Sequence, residues 1–324
     1  MIVFGPVPSR RLSRSLGINN IPPKVCTYSC VYCQVGRTMR MQVKREAFYD
    51  PQEILEEVKD KVDRLNKIGE RLDYLTFVTD GEPTLDINLK EEISLLKPLG
   101  IKIAVISNSS LIWKPEVQAD LQKADWVSLK VDSIDEKVWR RINRPHRLLN
   151  LDKILGGMLR FADSYRGELA TEIMLVKGYN DSEDNLKGIS EFLMKIKPRT
   201  AYLAIPTRPP AEKQIEHPDE DTIIRVYQIL SEKMANVEYL IGYEGNTFSF
   251  TGNTEEDLLS ITSVHPMRKD AVREFLNRAN ASWEVIEKLM QEDKLAEVTH
   301  DSKKFYMRKF SRSKNKTTTK KGEN

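Results

Sequence analysis

VCTYSCVYCQVG, at residues 25–36, contains every cysteine of the 324-residue chain. The three thiols, Cys26, Cys30 and Cys33, have the spacing C-x3-C-x2-C. An odd number of cysteines argues against a disulfide framework and favours a reducing compartment. Thiolates at this spacing in a loop can converge on one metal centre, so we interpret the three cysteines as metal ligands.

Two kinds of metal centre fit these cysteines. Zinc would need a fourth ligand, and the four histidines, at positions 146, 217, 265 and 300, are far away in sequence. A [4Fe–4S] cluster with three protein thiolates would leave one iron open to another ligand. The cysteines alone leave both alternatives open.

Around this loop the sequence alternates between strand-like and helix-like segments from residue 15 to about 240. The predicted strands are 15–20, 74–79, 101–107, 126–131, 169–176 and 201–205, of which the last four are apolar and partly β-branched. The predicted helices between them are 51–67, 88–98, 114–123, 150–164, 182–195 and 219–235. Six strand–helix units in a row predict an α/β fold with a parallel sheet, either doubly wound or a barrel.

A different pattern follows residue 240. Residues 241–254 are rich in Gly, Asn and Thr and are interpreted as a linker. Three short helices (255–264, 268–278 and 282–291) and two alternating stretches (295–299 and 304–308) come next. This order predicts a small winged-helix domain over 255–310. The tail 311–324 is polar and basic, and we predict that it is disordered.

Charge and hydropathy exclude some classes of protein. The net charge of +3 conceals nine Lys or Arg residues and one Glu from Lys303 onward, so the rest of the chain is acidic. No apolar run approaches the roughly 18–20 residues that span a bilayer. The N-terminus lacks the apolar core of a signal peptide. We therefore expect a cytoplasmic protein that has no contact with a membrane.

Candidate site residues follow the predicted strands. They are Gly81, Glu82 and Pro83 after the second strand, Ser107 and Asn108 after the third, Lys130 and Asp132 after the fourth, and Arg208 after the sixth. Each could be a turn or a helix cap on its own. In a parallel sheet, however, residues after the strands meet at one rim, where such folds bind ligands. The sequence therefore predicts a site at this rim.

The cysteine loop and these rim residues resemble the radical S-adenosylmethionine (SAM) superfamily. The resemblance rests on C-x3-C-x2-C with Tyr32 before the last cysteine, and on Gly81, Glu82 and Pro83, which match its G-G-E-P motif except that Asp80 replaces the first glycine. It covers residues 1–240 and implies a partial (β/α)6 barrel. It also implies a [4Fe–4S] cluster and SAM as cofactors.

The resemblance further implies roles for individual residues. The three cysteines would bind three irons, SAM would chelate the fourth, and Glu82 would accept a hydrogen bond from the SAM ammonium. The other expected cofactor contacts are Tyr32, Gly81, Pro83, Ser107, Asn108 and Lys130. Asp132 and Arg208 are the expected catalytic residues. A flavodoxin or ferredoxin would supply one electron, and cleavage of SAM would give a 5′-deoxyadenosyl radical that takes hydrogen from the substrate.

A narrower resemblance concerns residues 5–38, 207–212 and 260–268. These segments are similar to a subgroup related to wyosine-base synthetases, which modify tRNA. Those enzymes carry a second cysteine-ligated cluster, for which this chain has no thiols left. The comparison therefore favours single-cluster chemistry over wyosine formation.

Three functional hypotheses follow. The first is a radical SAM enzyme acting on RNA, such as tRNA, held through the basic wing and tail. The second is the same chemistry on a protein or a small molecule. The third is a DNA-binding regulator that senses an iron–sulfur cluster or zinc; the acidic helix predicted at 282–291 argues against it, because phosphate attraction dominates nucleic-acid affinity.

Overall fold

The computed structural model describes residues 2–241, 248, 250 and 252–309. The strands of its first part are β1 (Val3–Ser9), β2 (Ser13–Ile18), β3 (Val25–Cys26), β4 (Arg40–Met41), β5 (Tyr74–Phe77), β6 (Lys102–Ser107), β7 (Trp126–Lys130), β8 (Glu168–Met174), β9 (Thr200–Ala204) and β10 (Val237–Leu240). Within these described residues, eight strands form one sheet in the order β1-β2-β5-β6-β7-β8-β9-β10. The sheet curls into a half-barrel. From β2 to β10 all neighbours are parallel, whereas β1 runs antiparallel to β2.

Helices connect the parallel strands and cover the outer face of the sheet. They are α1 (Pro51–Lys67), α2 (Leu89–Leu96), α3 (Pro115–Leu121), α4 (Glu136–Asn143), α5 (Leu151–Ser164), α6 (Glu183–Ile196) and α7 (Glu220–Ser231). α1 shows why the predicted positions were accurate. The Asp50 side chain accepts from the backbone N–H of Gln52, Pro51 opens the helix, and an apolar stripe including Ile54 and Val58 is buried.

The predicted α/β barrel fold is confirmed, and the sheet extends beyond the six predicted strands. β10, of four residues, adds a seventh parallel strand that was not predicted. β1 adds an antiparallel edge. Its sequence contains Gly5, Pro6 and Pro8, which disfavour a central strand but are tolerated at an edge.

The turn between β1 and β2 enters the lumen of the half-barrel. Leu12, in this turn, is 2% exposed and packs with Trp126, Tyr202 and Leu240, which lie on three different strands of the sheet. Leu12 thereby adds an apolar side chain to this part of the lumen. Arg10 and Arg11, which precede Leu12, are carried to the same part of the fold.

The C-terminal elements are α8 (Thr254–Val264), β11 (Met267–Arg268), α9 (Lys269–Arg278), α10 (Glu284–Gln291), β12 (Leu295–His300) and β13 (Lys303–Arg308). Within the described part of this region, three strands form an antiparallel sheet in the order β11-β13-β12. A separate apolar core includes Phe275, Ile286, Leu289 and Tyr306. The three helices and the final hairpin lie where we predicted them, and β11 is an additional strand.

The C-terminal elements pack against the half-barrel. Lys61 on α1 pairs with Asp257 on α8 at 2.9 Å, and both side chains are largely buried. The hydroxyl of Ser260 donates to the carbonyl of Val3, which covers the edge strand. Most of the predicted linker 241–254 and all of the tail 311–324 lie outside the described residues. Among the described helices, none has the length and apolarity needed to cross a membrane.

Candidate active site

The three cysteines lie on one loop that the sheet holds in place. Cys26 ends β3, and Cys30 and Cys33 follow before β4, which pairs with β3. A backbone hydrogen bond of 3.2 Å from Cys33 to Cys30 tightens the loop. Burial raises the pKa of all three thiols, that of Cys30 to about 12, and the charges of Cys30 and Cys33 raise the pKa of Cys26 further. A metal would therefore displace protons when it binds.

Two asparagine amides point at the cysteine sulfurs. Nδ2 of Asn108, after β6, lies 3.4 Å from Sγ of Cys26 and 2.9 Å from Oγ1 of Thr27. Nδ2 of Asn143, at the end of α4, lies 3.4 Å from Sγ of Cys30. N–H donors stabilise negative charge on sulfur and orient ligands, so both amides suit cysteines that act as thiolates.

The segment after β5 is held directly against the cysteine strand. The backbone N–H of Glu82 donates to the carbonyl of Val25 at 3.3 Å, and that of Lys24 donates to the carbonyl of Asp80 at 2.7 Å. A Cβ atom on Gly81 would lie 1.8 Å from the Val25 carbonyl oxygen, so only glycine permits this approach. Pro83 then opens a short 3₁₀ turn.

Glu82 is fully buried and joins the ends of β5 and β6. One carboxylate oxygen accepts from the backbone N–H and the hydroxyl of Thr84 and from the hydroxyl of Ser107, at 3.1, 2.6 and 2.8 Å. The other accepts from the backbone N–H of Asn108 at 2.7 Å. Burial raises the pKa of Glu82, and these donors oppose that rise. The residue expected to contact SAM therefore also organises the loops around it.

Asp132 fastens the cysteine loop to the ends of β7 and β8. One of its oxygens accepts from the hydroxyl of Tyr32 and from Nδ2 of Asn143, and the other accepts from the backbone N–H of Met174 at 2.8 Å. The side chain is 3% exposed. Its expected catalytic role stays a prediction, because these contacts describe a residue that positions Tyr32 and Asn143.

A cavity of about 220 Å³ lies in the lumen beside Cys33 and Tyr32. Nζ of Lys130 borders it, 2.6 Å from Oε1 of Glu172 and 5.2 Å from the ring centre of Tyr32. Burial lowers the pKa of Lys130, while the charge of Asp132 raises it. The rim residues predicted from the sequence thus gather around one cavity and one cysteine loop.

Arg208 also lines this cavity and reaches two other parts of the chain. It donates to the amide oxygen of Gln34, next to Cys33, at 2.7 Å, and lies 3.0 Å from Nε2 of His265 at the end of α8. Arg208 therefore lies in the lumen at the end of its strand, and its catalytic role stays a prediction.

Sequence reasoning missed two residues of the site. Glu172 lies inside strand β8, whose five central residues are all buried, and a carboxylate in a strand buried on both faces could have been recognised from the sequence. Asp80 is 2% exposed, and within the part of the chain that the structure describes neither of its carboxylate oxygens has a hydrogen-bond partner. Burial raises the pKa of Asp80 to about 7, which no local pattern could reveal.

The donor set fits an iron–sulfur cluster better than a single metal ion. Among the described residues, no three His, Cys, Asp or Glu side chains are arranged to hold one metal ion. Thiolates of a cluster each bind a different iron, so they need not converge on one point. Three partly buried thiols with amide donors at two of the sulfurs therefore suit a [4Fe–4S] cluster.

Comparison with known proteins agrees with this geometry. Residues 20–187 match the radical SAM superfamily, and the match contains the three cysteines and the loops after β5, β6 and β7. The chain belongs to the radical SAM superfamily. The predicted cofactors, a [4Fe–4S] cluster and SAM, and the predicted enzyme class are confirmed with it.

Relatives of this radical SAM protein differ in their sequence identity to it and in the share of each chain that the similarity covers. The UPF0026 protein of Methanocaldococcus jannaschii is 50% identical over 97% of this chain and 98% of its own length. The probable GTP 3′,8-cyclase of Pyrococcus horikoshii is 25% identical over 49% of this chain and 47% of its own. TYW1 with a lysine-pyruvate adduct has the same fold, with a TM-score of 0.53 and 18% identity over 68% of this chain and 74% of TYW1.

Proposed function

We propose that Cys26, Cys30 and Cys33 hold a single [4Fe–4S] cluster at which the enzyme reductively cleaves SAM and abstracts hydrogen from a substrate in the lumen. The observation that carries this proposal is the position of the cysteine loop. Cys33 borders the lumen cavity, while amide donors from Asn108 and Asn143 point at the other two sulfurs.

SAM would bind between the cysteine loop and the strand ends. Gly81 and Pro83 bring the backbone after β5 close to β3, and Glu82 fixes Ser107 and Asn108 beside it. Lys130 and Tyr32 lie on the lumen side. When bound, the cluster and SAM supply one-electron chemistry and a 5′-deoxyadenosyl radical; the protein orients the reactants and excludes water.

The cysteine count limits the reaction class. With three cysteines in the whole chain and all three in one loop, no thiol remains for a second cluster. The reaction classes that remain are rearrangement, hydrogen abstraction, ring chemistry and dehydrogenation at one cluster. A flavodoxin- or ferredoxin-type protein is the proposed electron donor.

The substrate proposal has two versions. An RNA such as tRNA is favoured by the resemblance to the wyosine-related subgroup, and the order of the C-terminal elements supports a winged helix. The described surface favours the second hypothesis, a protein or a small molecule, instead. The first turn of α10 carries Glu284 and Glu287, and Lys304 on the hairpin pairs with Glu297 at 2.7 Å. Acidic and neutralised surfaces attract phosphate backbones weakly.

Anaerobic SAM cleavage tests the proposal. The protein is reconstituted with iron and sulfide, reduced with dithionite and given SAM, and 5′-deoxyadenosine is measured by mass spectrometry. We expect the product with the wild type and with the Met39→Ala control, which changes an exposed side chain of the same loop, and none with Cys30→Ala. A sound cluster that leaves SAM intact, or a preparation that binds only zinc, would favour the sensor hypothesis.

The choice between substrates needs a second readout. RNA that copurifies with the protein and raises the yield of 5′-deoxyadenosine would support the RNA version. A yield that responds to small metabolites and is indifferent to added tRNA would support the small-molecule version.

A further inference from the structure

Two surface loops, 37–44 and 144–148, lie against the segment that carries the cysteines. The backbone N–H of Gln42, in the first loop, donates to the carbonyl of Cys26 at 3.1 Å. The backbone N–H of His146, in the second loop, donates to the carbonyl of the residue that follows Cys26 at 2.9 Å. Both loops are therefore fixed directly to the cysteine loop.

Glu212 joins the two loops into one surface. Its carboxylate accepts from two nitrogens of Arg37, each at 3.1 Å, and from Arg144 at 2.5 Å. The Glu212 side chain is 9% exposed, whereas that of Arg37 is 71% and that of Arg144 is 43% exposed. One carboxylate beneath the surface thus accompanies two guanidinium groups that face the solvent.

Two further cations on these loops have no carboxylate partner. Lys44 and Arg147 are exposed, and neither forms an ion pair with another described residue. The first 302 residues of the chain are acidic overall, so this surface differs in sign from most of the protein around it. A local positive charge of this kind attracts a partner that carries negative charge.

The same two loops expose large apolar side chains. Met39 is 67%, Met41 38% and Leu148 70% exposed. In the part of the chain that the structure describes, nine large apolar side chains are exposed, and these two short loops hold three of them. Met and Arg are enriched where proteins bind proteins, whereas interfaces with nucleic acids are more polar. The surface therefore suits an acidic protein better than an RNA.

We define the cysteine-loop surface by its exposed apolar side chains and its two cations without a carboxylate partner: Met39, Met41, Leu148, Lys44 and Arg147. None of these residues lines the lumen cavity, whereas Cys33 does. The three cysteines are themselves partly exposed. A partner on this surface would therefore come close to the cysteines without entering the cavity in which the substrate is proposed to react.

We propose that the cysteine-loop surface docks an acidic one-electron-carrier protein. This inference rests on the proposed function, which places a reducible cluster at the three cysteines. The reduced carrier would lose one electron and the cluster would gain it, with no atom transferred. The cations would pair with carboxylates at the rim of the interface, and the three apolar side chains would be covered at its centre.

Titration with a purified acidic ferredoxin measures the docking directly. The reconstituted full chain is mixed with the oxidised ferredoxin in a calorimeter, so that no electron passes during the measurement. We expect saturable binding that weakens as salt is added, because salt screens attraction between exposed charges. Lys44→Glu and Arg147→Glu should each weaken the binding about fivefold or more, as for loss of one exposed charge pair with added repulsion.

Lys195→Glu is the matched control for these charge reversals. Lys195 is exposed and lies in the last turn of α6, which returns the chain from the rim to the start of β9 at the opposite end of the sheet. We expect this variant to bind ferredoxin as the wild type does. Equal affinity in the wild type, Lys44→Glu and Arg147→Glu would overturn the proposal, and either variant is informative if the other does not fold.

A comparison of two reductants separates this inference from the proposed function. Dithionite is small and needs no docking surface, so the readout is the rate of 5′-deoxyadenosine formation with reduced ferredoxin divided by the rate with dithionite. This ratio should fall about fivefold or more in Lys44→Glu and in Arg147→Glu. An unchanged ratio would overturn the docking proposal, whereas SAM left intact by dithionite in every protein would overturn the proposed function.

Competition with RNA tests the other occupant of a basic surface. Transfer RNA is added to the complex of the protein with ferredoxin, and the bound ferredoxin is measured again. Ferredoxin that stays bound supports the proposal. Displacement by tRNA that Lys44→Glu and Arg147→Glu both abolish would assign the cysteine-loop surface to RNA and overturn it.

Discussion

Nδ2 of Asn143 lies 3.4 Å from Sγ of Cys30, although 113 residues separate the two in the chain. The same amide nitrogen lies 2.7 Å from a carboxylate oxygen of Asp132. Asn143 therefore links the cysteine loop to the end of α4 and to the strand ends, so that the position of one sulfur depends on three segments of the chain.

Asn143→Ala should lower the folding stability of the protein and the midpoint potential of the cluster, although it removes no cluster ligand. Loss of the amide takes a donor from Cys30 and from buried Asp132, which we expect to cost about 1–3 kcal/mol of folding stability. The cluster should also have a more negative midpoint potential, because a hydrogen bond to sulfur favours the reduced state. Iron content, urea unfolding and a redox titration check this, with Asn66→Ala, an exposed position on α1, as the control. An unchanged potential would show that the contact does not act on the cluster.

Glu82→Ala should lower the folding stability of the protein even when SAM is absent. The substitution leaves donors of Thr84, Ser107 and Asn108 without their acceptor, and we expect a loss of at least about 3 kcal/mol. Urea unfolding of the protein without SAM measures this, with Glu56→Ala on the exposed face of α1 as the control. Wild-type stability combined with weak SAM binding would instead assign Glu82 to the cofactor alone.

Gly81→Ala should disrupt the cysteine strand. Its Cβ would lie 1.8 Å from the carbonyl oxygen of Val25, so the backbone of one of the two segments must move. We expect a loss of about 3 kcal/mol or more, as in severe overpacking, together with lower iron content after reconstitution. The control is Gly156→Ala in α5, where the added atom meets only the end of Arg160 at 3.4 Å. That variant should be neutral or more stable by up to about 1 kcal/mol.

Glu92→Gln should stabilise the protein progressively as pH rises. Burial and the nearby Asp86 carboxylate raise the pKa of Glu92 to about 9, from an ordinary value of 4.5. A carboxyl group with a raised pKa in the folded state is protonated there and ionised in the unfolded chain, so its contribution falls between about pH 4.5 and about pH 9. Gln stays neutral and removes this loss.

Thermal unfolding at intervals across that pH window measures the effect. The advantage of Glu92→Gln over the wild type should grow from about pH 5 to about pH 9. The neighbouring Glu91→Gln is exposed and should show no such trend. A constant difference across the window would mean that Glu92 ionises normally in the folded protein.

Local patterns predicted most of the fold. The six predicted strands and their helices occur close to the predicted positions, because apolar periodicity and caps such as Asp50 act within a few residues. β1 escaped prediction because its stability comes from pairing with β2 and from cover by α8, neither of which its own Gly- and Pro-rich sequence reveals.

The sequence by itself determined the cysteine loop, the order of the rim motifs and the limit to one cluster, since these depend on residue type and spacing. Only the tertiary structure decided which side chains face the cysteines and the lumen. Asn143 reaches Cys30, Glu172 joins Arg11 to Lys130, and Arg208 meets His265 through long-range packing. The physical reason is that burial and charge pairing depend on neighbours brought together by the curled sheet, and a one-dimensional pattern does not contain those distances.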